Sequence, residues 1–585
     1  MSNLLGILST GVSGLFASQA QIDVSGNNIT NVDTDGYTRQ RVVLNTAMSQ
    51  VTSDGVFGRG VDIQNVAQVY DSILASTLRS ENSDLSYYTT MQDQLQTVEI
   101  YFNELEDGSG LGEAMSAYFD AWSDLANTAT DQSDEAEIKK QTVVETANTL
   151  AEKIRESYSQ LENIKNTANN QISSYTDRIN EISQNIAYLN GEISSIEVTG
   201  VSANDLRDTR ETLMDELATL TGFTSNESSD GQMSIYVNGH ALVDGGQYYN
   251  LTLKQVSGED NTYSIYWNTS DSRTDGVDVT DSFSTGTIGA YLDLRDDVIQ
   301  GYMDSLDDLA STMITATNQI HALGQGTSRL TSVSSSSGVP NAAYPLNEAA
   351  GSFGTTTISE GVLRISVYDD EGDLVENLDV EIDPDTDSLK SIINKISVAD
   401  GNPNGGLIQA SLSDDNSIKI TSGSGYTFAF TEDTSGFLVA SGTYGFFTGK
   451  DASDIGVSEL VQNNIGYLAT STTGAEGDNS NATSIANLKS ASLFSGTSTT
   501  MDGFYALFAA AIATDKATAD TYATTKQNAV DEYELKLESI SGVSLDEELT
   551  DLMKFQRAYE ASARLITTVD EMLDKIVNGL GTGGR

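Results

Sequence analysis

The side chains able to do chemistry are plentiful but one-sided. The chain carries 85 Asp and Glu, 30 Lys and Arg, two histidines (His240 and His321) and no cysteine. Without cysteine there is no disulfide, no thiolate metal site and no cysteine nucleophile. Two histidines do not make a multi-histidine metal centre, and no convincing Ser-His-Asp set can be built on them. Carboxylate pairs of the kind that cleave glycosides are so common here that none is informative. Loops that imitate ligand loops each fail at a required position. Asn31-Val32-Asp33-Thr34-Asp35-Gly36 starts like a calcium loop, but Val42 stands where a bidentate glutamate is needed. Asp383-Pro384-Asp385-Thr386-Asp387 has Ser388 and Asn394 at the sixth and twelfth positions. Gly108-Ser109-Gly110-Leu111-Gly112 lacks the following Gly-Lys-Ser/Thr of a phosphate loop, and Gly449-Lys450 is followed by Asp451. These stretches read as turns. No catalytic, cofactor-binding or metal-binding residue is expected, and no cofactor.

The formal net charge is −55. An anionic partner, nucleic acid or an acidic membrane surface, is therefore not expected. The acidity is uneven: residues 545–585 hold eight acids and five bases, and residues 1–50 hold three acids and two bases. Nearly neutral ends suit packing among like copies, and a charged middle suits solvation, as would a saline habitat. The first basic residue is Arg39, so no secretory signal with a basic leading segment is expected. No apolar run reaches the roughly 18 residues of a membrane helix. All four prolines lie between Pro340 and Pro403, which leaves the rest free for long helices.

The elements explain the rest. Toward the C-terminus, Leu545, Leu552, Tyr559, Ile566, Leu573 and Leu580 form one seven-residue track. Phe555, Ser562, Val569 and Ile576 form the interleaved one. This is a heptad stripe that calls for a partner helix, and small Ser562 permits a close approach. Near the N-terminus, Leu4, Leu8, Val12, Leu15, Ile22 and Ile29 mark a weaker helix over 3–30. Gly6, Gly11 and Gly14 weaken it by roughly 1 kcal/mol each. Such a helix orders only when packed, and its natural partner is the C-terminal stripe. Of these, Leu4, Leu8, Val12, Leu15, Ile22 and Ile29 with Leu552, Tyr559, Ile566, Leu573 and Leu580 are the expected assembly interface. Between them, residues 135–196 carry a second heptad system. One track is Ile154, Leu161, Ala168, Tyr175, Ile182, Leu189 and Ile196, the other Tyr158, Ile172, Ile179, Ile186 and Ile193, broken at Lys165. It reads either as one long rod or as a hairpin turning at Asn169-Asn170. Alternating patterns predict strands over 232–268 and again between 326 and 455, with a short helix over 388–396. His240 falls in a hairpin turn, and His321 near a helix end, where a cation would suit the dipole.

Three short motifs near the N-terminus carry a resemblance. They are Ala17-Ser18-Gln19-Ala20, Asn27-Asn28-Ile29-Thr30-Asn31 and Gly36-Tyr37-Thr38-Arg39-Gln40. They resemble the N-terminal signature of flagellar rod, hook and hook-associated proteins, although Asp35 stands where that family usually has proline. Ser541-Gly542-Val543-Ser544-Leu545-Asp546-Glu547-Glu548 and Phe555-Gln556-Arg557-Ala558-Tyr559-Glu560-Ala561-Ser562-Ala563-Arg564 resemble its C-terminal signature. Stretches at 204–210, 289–296 and 477–488 resemble the member of that family that joins hook to filament. The motif positions carried over are Asn27, Asn28, Ile29, Asn31, Gly36, Tyr37, Arg39, Gln40, Phe555, Gln556 and Tyr559.

The expected fold is α+β and multidomain, with coiled-coil-like terminal helices, a long-helix bundle shell and outward β-rich domains. Expected boundaries are 1–65 with 545–585, 66–221 with 286–325 and 456–544, 222–285, and an insert at 326–455. The resemblance implies a structural adaptor rather than an enzyme. It further implies a ring of copies contacting hook protein and hook-associated protein 3, and location in the bacterial flagellum outside the cell. It also implies export without signal cleavage and a cytoplasmic chaperone on the C-terminal helix. The competing readings are another flagellar axial protein, or an adhesin or glycan hydrolase on a coiled-coil stalk.

Overall fold

The computed structural model describes residues 2–52, 55–102, 110–128, 133–256, 258, 262–268, 276–354, 357–475, 477–494 and 498–579. Helix α1 (Ser2–Thr30) leads into strands β1 (Gln40–Thr46), β2 (Gln50–Thr52), β3 (Gly55–Phe57) and β4 (Val61–Gln68). Helices α2 (Ser72–Phe102), α3 (Leu111–Ala126), α4 (Asp134–Glu197) and α5 (Asn204–Leu220) follow. Short strands come next: β5 (Thr224–Glu227), β6 (Met233–Val237), β7 (His240–Asp244), β8 (Gln247–Tyr248), β9 (Leu251–Gln255), β10 (Tyr263–Trp267) and β11 (Val277–Asp278). A π-helical turn, Leu294–Val298, joins α6 (Gly286–Asp293) to α7 (Ile299–His321). The second β region holds β12 (Ser332–Ser334), β13 (Gly361–Asp369), β14 (Leu374–Ile382), α8 (Leu389–Ser397), β15 (Ile408–Leu412), β16 (Ile418–Ser422) and β17 (Tyr426–Asp433). After it come α9 (Phe437–Ser441), β18 (Phe447–Thr448), β19 (Gly456–Val457), α10 (Glu459–Asn463) and α11 (Ser480–Ala486). The chain then closes with α12 (Met501–Ser541) and α13 (Leu545–Gly579). The architecture is α+β and multidomain. No helix among the described residues is long and apolar enough to cross a membrane.

The chain divides into two compact units. The first comprises Met1–Asp93, Asn166–Arg295 and Ala517–Arg585, the second Gln94–Lys165 and Asp296–Lys516. Helix α4 is a single helix of 64 residues, not a hairpin. Asn169, the candidate turn, is buried, and its Oδ1 accepts from the Tyr263 N–H at 3.1 Å and from Arg295 at 2.9 Å. It therefore anchors the β region. Most heptad positions of α4 go inward, with Ile172, Ile179, Ile182, Ile186 and Ile193 fully buried, whereas Ile196 at the end of the first track is exposed.

In the first unit, β5–β8 form a four-stranded sheet and β9–β11 a three-stranded one. Asn238 and Gly239 close the β6–β7 hairpin with positive φ (46° and 86°), the geometry that twists a two-residue turn the right way. His240 lies beside the Trp267 ring, half-buried. Buried Arg210 ties the β5–β8 sheet to the helices, donating to Asn190 Oδ1 (3.0 Å), Gly231 O (2.6 Å) and Glu227 Oε1 (3.0 Å). In the second unit, the sheets β14-β13-β17 and β12-β16-β15 share one hydrophobic core with α8. Ser388 and Ser391 close a capping box on α8. Asp383–Asp387 is a turn, closed by the Asp387 N–H on Asp383 O at 2.7 Å.

The dipole role for His321 is overturned. The ring is fully buried among Tyr444 and Phe446. Its Nδ1–H donates to Tyr444 O and its Nε2 accepts from the Ala469 N–H, each at 3.1 Å, which fixes one neutral tautomer. Burial holds its pKa down to about 4. Asp307 in the same unit behaves oppositely. Burial, with Asp451, Asp304 and Asp308 nearby, pushes its carboxyl up to about 6, although the Ala452 N–H hydrogen-bonds it.

These two groups set opposing pH slopes. As pH falls from 6.5 to about 4, the unfolded state gains a proton on His321 that the folded state refuses, so stability is lost. From about 6 down to 3.8 the folded state protonates Asp307 first, so stability is gained. In thermal melts between pH 7.5 and 4, His321→Gln should lose less stability than the parent on acidification. Asp307→Asn should start more stable at pH 7.5 and lose more. Parallel curves for all three chains would contradict the assignment.

Candidate assembly site

The weak helix and the striped helix meet. Helix α1 runs antiparallel to α13, and glycines mark the closest approach. A Cβ on Gly11 would stand 3.0 Å from Ile566 Cγ1, and one on Gly14 would stand 3.0 Å from Ser562 Oγ. Gly14 of α1 and Ser562 of α13 are thus opposite each other, small against small. The pairing leaves much of both stripes uncovered. Leu4, Leu8, Val12, Leu15, Ile22 and Ile29 are half-buried. On α13, Val569 is buried, Leu552, Phe555, Ile566, Leu573 and Ile576 are half-buried, and Tyr559 and Gln556 are exposed. Leu580 lies outside the described residues. Beyond the stripes, Leu5 and Phe16 on α1, and Met553, Met572 and Val577 on α13, are exposed apolar side chains. Uncovered rows of this kind mark a surface awaiting partners.

The N-terminal motif is a polar lock behind this pair. Asn28 is buried; its Nδ2 donates to Gln40 O at 2.9 Å, and its Oδ1 accepts from Gln40 N–H at 3.0 Å and Tyr37 O–H at 2.8 Å. It thereby pins the end of α1 to the start of β1 by satisfying an edge that would otherwise be orphaned. Asn31 donates to Asn27 O and Oδ1, each at 3.0 Å. Tyr37 N–H closes a turn on Thr34 O, so Asp35 and Gly36 form its corners. Gly36 has φ +75°, and a Cβ there would stand 2.7 Å from Thr212 Oγ1 on α5. Burial, with Asp208, Asp205 and Glu548 close by, pushes the Tyr37 hydroxyl up to about 12, so it stays a donor.

Arg39 joins the two ends of the chain. Its Nε donates to Glu548 Oε1 at 2.8 Å and its Nη1 to Glu547 Oε2 at 3.2 Å. Its backbone N–H donates to Ser541 O at 3.0 Å. Ser541-Gly542-Val543-Ser544 is the break between α12 and α13. The Arg39 partners escape a reading by heptads, because Glu548 sits in the stripe register yet is buried as an ion-pair member. On α5, Asp208 accepts from Gln68 at 2.6 Å, and Asn204 donates to Val66 O at 3.0 Å. Burial and then the Asp205 and Glu211 charges raise the Asp208 carboxyl, against two hydrogen bonds from Thr38. Three clefts flank the motif, of about 480, 430 and 330 Å³. No group of three His, Asp or Glu side chains among the described residues is arranged to hold a metal ion.

Comparison with known proteins agrees with this geometry. Residues 95–331 match the family model for the flagellar hook-associated protein FlgK helical domain. Residues 8–38 match the flagella basal body rod protein model, and 538–579 the flagellar basal body rod FlgEFG protein C-terminal model. The two rod matches fall on α1 with its lock and on α13. Flagellar hook-associated protein 1 of Bacillus subtilis is 25% identical, aligned over 99% of both chains. The Salmonella typhimurium and Escherichia coli proteins of that name are each 25% identical over 98% of this chain and 99% of theirs. A solved flagellar hook junction protein FlgK from Burkholderia pseudomallei shares the fold, with a TM-score of 0.50 at 16% identity, covering 80% of this chain and all of that one. The fold and the paired terminal signatures define a flagellar axial protein. Within that class, the chain is similar to flagellar hook-associated protein 1 over nearly its whole length.

Two substitutions probe the lock. Arg39→Ala strands the Glu548 carboxylate in a buried setting, which costs about 3–5 kcal/mol. Amide exchange on the full-length monomer should then speed up across α1 and the first turns of α13, with the β12–β17 region unchanged. Gly14→Leu should do the same by forcing the helices apart at Ser562. Unchanged exchange in both variants would refute the close approach.

Proposed function

We propose that this chain is a structural adaptor, not an enzyme, that joins flagellar hook to filament as a ring of copies. The observation that carries the reading is the α1–α13 pair, whose two helices satisfy one another only partly and leave apolar rows uncovered. In the ring, these rows pack against the same helices of neighbouring copies, at about 25 cal/mol per Å² of apolar surface buried. The stripe residues Leu4, Leu8, Val12, Leu15, Ile22, Ile29, Leu552, Tyr559, Ile566, Leu573 and Leu580 form that interface. The near-neutral ends tolerate the crowding, and the acidic remainder stays solvated. Hook protein on one side and hook-associated protein 3 on the other are the partners that this similarity favours. Residues 1–65 with 545–585 act as the assembly part, the long helices as a supporting layer, and 222–285 and 326–455 as β-rich parts facing solvent. Export in threaded form, without signal cleavage and with a cytoplasmic chaperone on α13, fits a chain with no disulfide to form.

The test is Ile566→Asp. Ile566 packs against Gly11, so a carboxylate there is placed in the paired stripe. The variant should be absent from isolated flagella, and cells should shed filament, while the circular dichroism of the β regions is retained. Normal incorporation would refute the reading.

A further inference from the structure

The first unit carries a projection and a recess that cannot meet within one chain. The projection is the β2–β3 hairpin. Val51 and Val56 are cross-strand partners, exposed to 79% and 68% of their surface. Met48 before it and Phe57 at its end are exposed as well. Arg59 follows, exposed between Gly58 and Gly60, with no hydrogen bond or ion pair among the described residues. Arg41, Arg557 and Arg564 of this unit are likewise exposed with no ion pair among the described residues. Arg39, Arg79, Arg178 and Arg207 each clasp two carboxylates. In a chain of net charge −55, an unpaired cation amid exposed apolar side chains has abundant acidic surface to meet.

The recess is the cleft of about 480 Å³ bounded by Asp23, Val24, Gln40, Val66 and residues 202–206. Val24, Val66 and Leu206 supply apolar lining, and Asp23 and Asp205 supply carboxylates with no cation on them among the described residues. Gln40 Nε2 is buried there without a hydrogen-bond partner. Val198 and Val201, just outside it in sequence, are exposed to 82% and 59%. The β1–β4 ribbon is laid along α1 from Asn28, which bonds Gln40, to Ser13, whose Oγ accepts from the Val61 N–H at 3.2 Å. The fifteen helical steps from Ser13 to Asn28 rise about 22 Å. The recess is at the Gln40 end, and the hairpin continues beyond the Ser13 end.

We infer that the β2–β3 hairpin of one copy docks in the Val24–Val66 cleft of a second copy. Val51 and Val56 meet Val198 and Val201, and Arg59 meets Asp23 and Asp205. The contact is head-to-tail, so an open assembly keeps one free hairpin and one free cleft at its ends, and the arrangement propagates around a ring or along a helix. The inference rests on the proposal that copies of this chain assemble, and it adds a second surface to the α1–α13 stripes.

Because the chain has no cysteine, site-directed cross-linking is unambiguous. Val56→Cys and Val201→Cys are made singly and together in the full-length chain. Isolated flagella are oxidised with copper phenanthroline and blotted after denaturation. The double variant should give a ladder of oligomers, co-expressed single variants only dimers, and either single variant alone none. Incorporation without cross-linking, or dimers from Val56→Cys alone, would overturn the inference. If the chain is missing from flagella, the adaptor proposal fails separately. The same oxidation on concentrated purified chain then decides the contact, a ladder supporting it and its absence overturning it. Arg59→Asp should abolish the ladder, and adding Asp205→Arg should restore it; no effect of either would remove the charge pairing.

Discussion

The distance between α1 and α13 is the constraint on which the terminal region depends. Gly11 and Gly14 give up intrinsic helix stability, about 1 kcal/mol each relative to alanine. In return, Ile566 and Ser562 come within van der Waals reach of the α1 backbone. A helix so composed has little reason to exist apart from its partner, and a two-helix pair has too little interior to cover both stripes. The result is an element whose own fold is incomplete as a monomer, with Phe16, Met553, Met572 and Val577 left facing outward. Stability and association are here two readings of the same shortage of buried surface.

Apolar stripes repeat every seven residues, so by themselves they permit the helices to slide by a heptad at modest cost. The polar lock removes that freedom. Asn28 engages Gln40 through two directional bonds and Tyr37 through a third, and Arg39 reaches Glu547, Glu548 and Ser541 O at once. Each bond is made in one register only, and each miss would leave a buried polar group unsatisfied. Packing thus supplies the attraction between the chain ends, and the motif supplies the alignment.

Much of this was legible in the residues, for identifiable reasons. The α13 stripe, the α4 tracks and the strands of 361–382 announce themselves by period, because one face of each is buried. The break at Ser541-Gly542 and the turn at Asn238-Gly239 announce themselves by backbone chemistry. The roles of Asn28 and Arg39 did not, although both stood out as motif positions. Their partners are far away in sequence or are backbone atoms, and spacing carries no record of either. His321 was misjudged for the same reason. Proximity to a helix end is visible in sequence, whereas enclosure by Tyr444, Phe446 and Ala469 is not. The clefts beside the lock depend on how α5 meets β4, which no local pattern encodes.

Arg39 and Glu548 are separated by nearly the whole chain, and this has a consequence for the order of events in synthesis. Helix α1 leaves the ribosome long before its partner. Until then the glycine-weakened N-terminal segment has only the β1–β4 ribbon against it, and the Arg39 half of the lock cannot close before Glu547 and Glu548 are made. Between those moments the paired α1–α13 surface does not exist, so a half-made chain cannot use the proposed stripe contact. Synthesis of α13 is, in effect, what completes the pair.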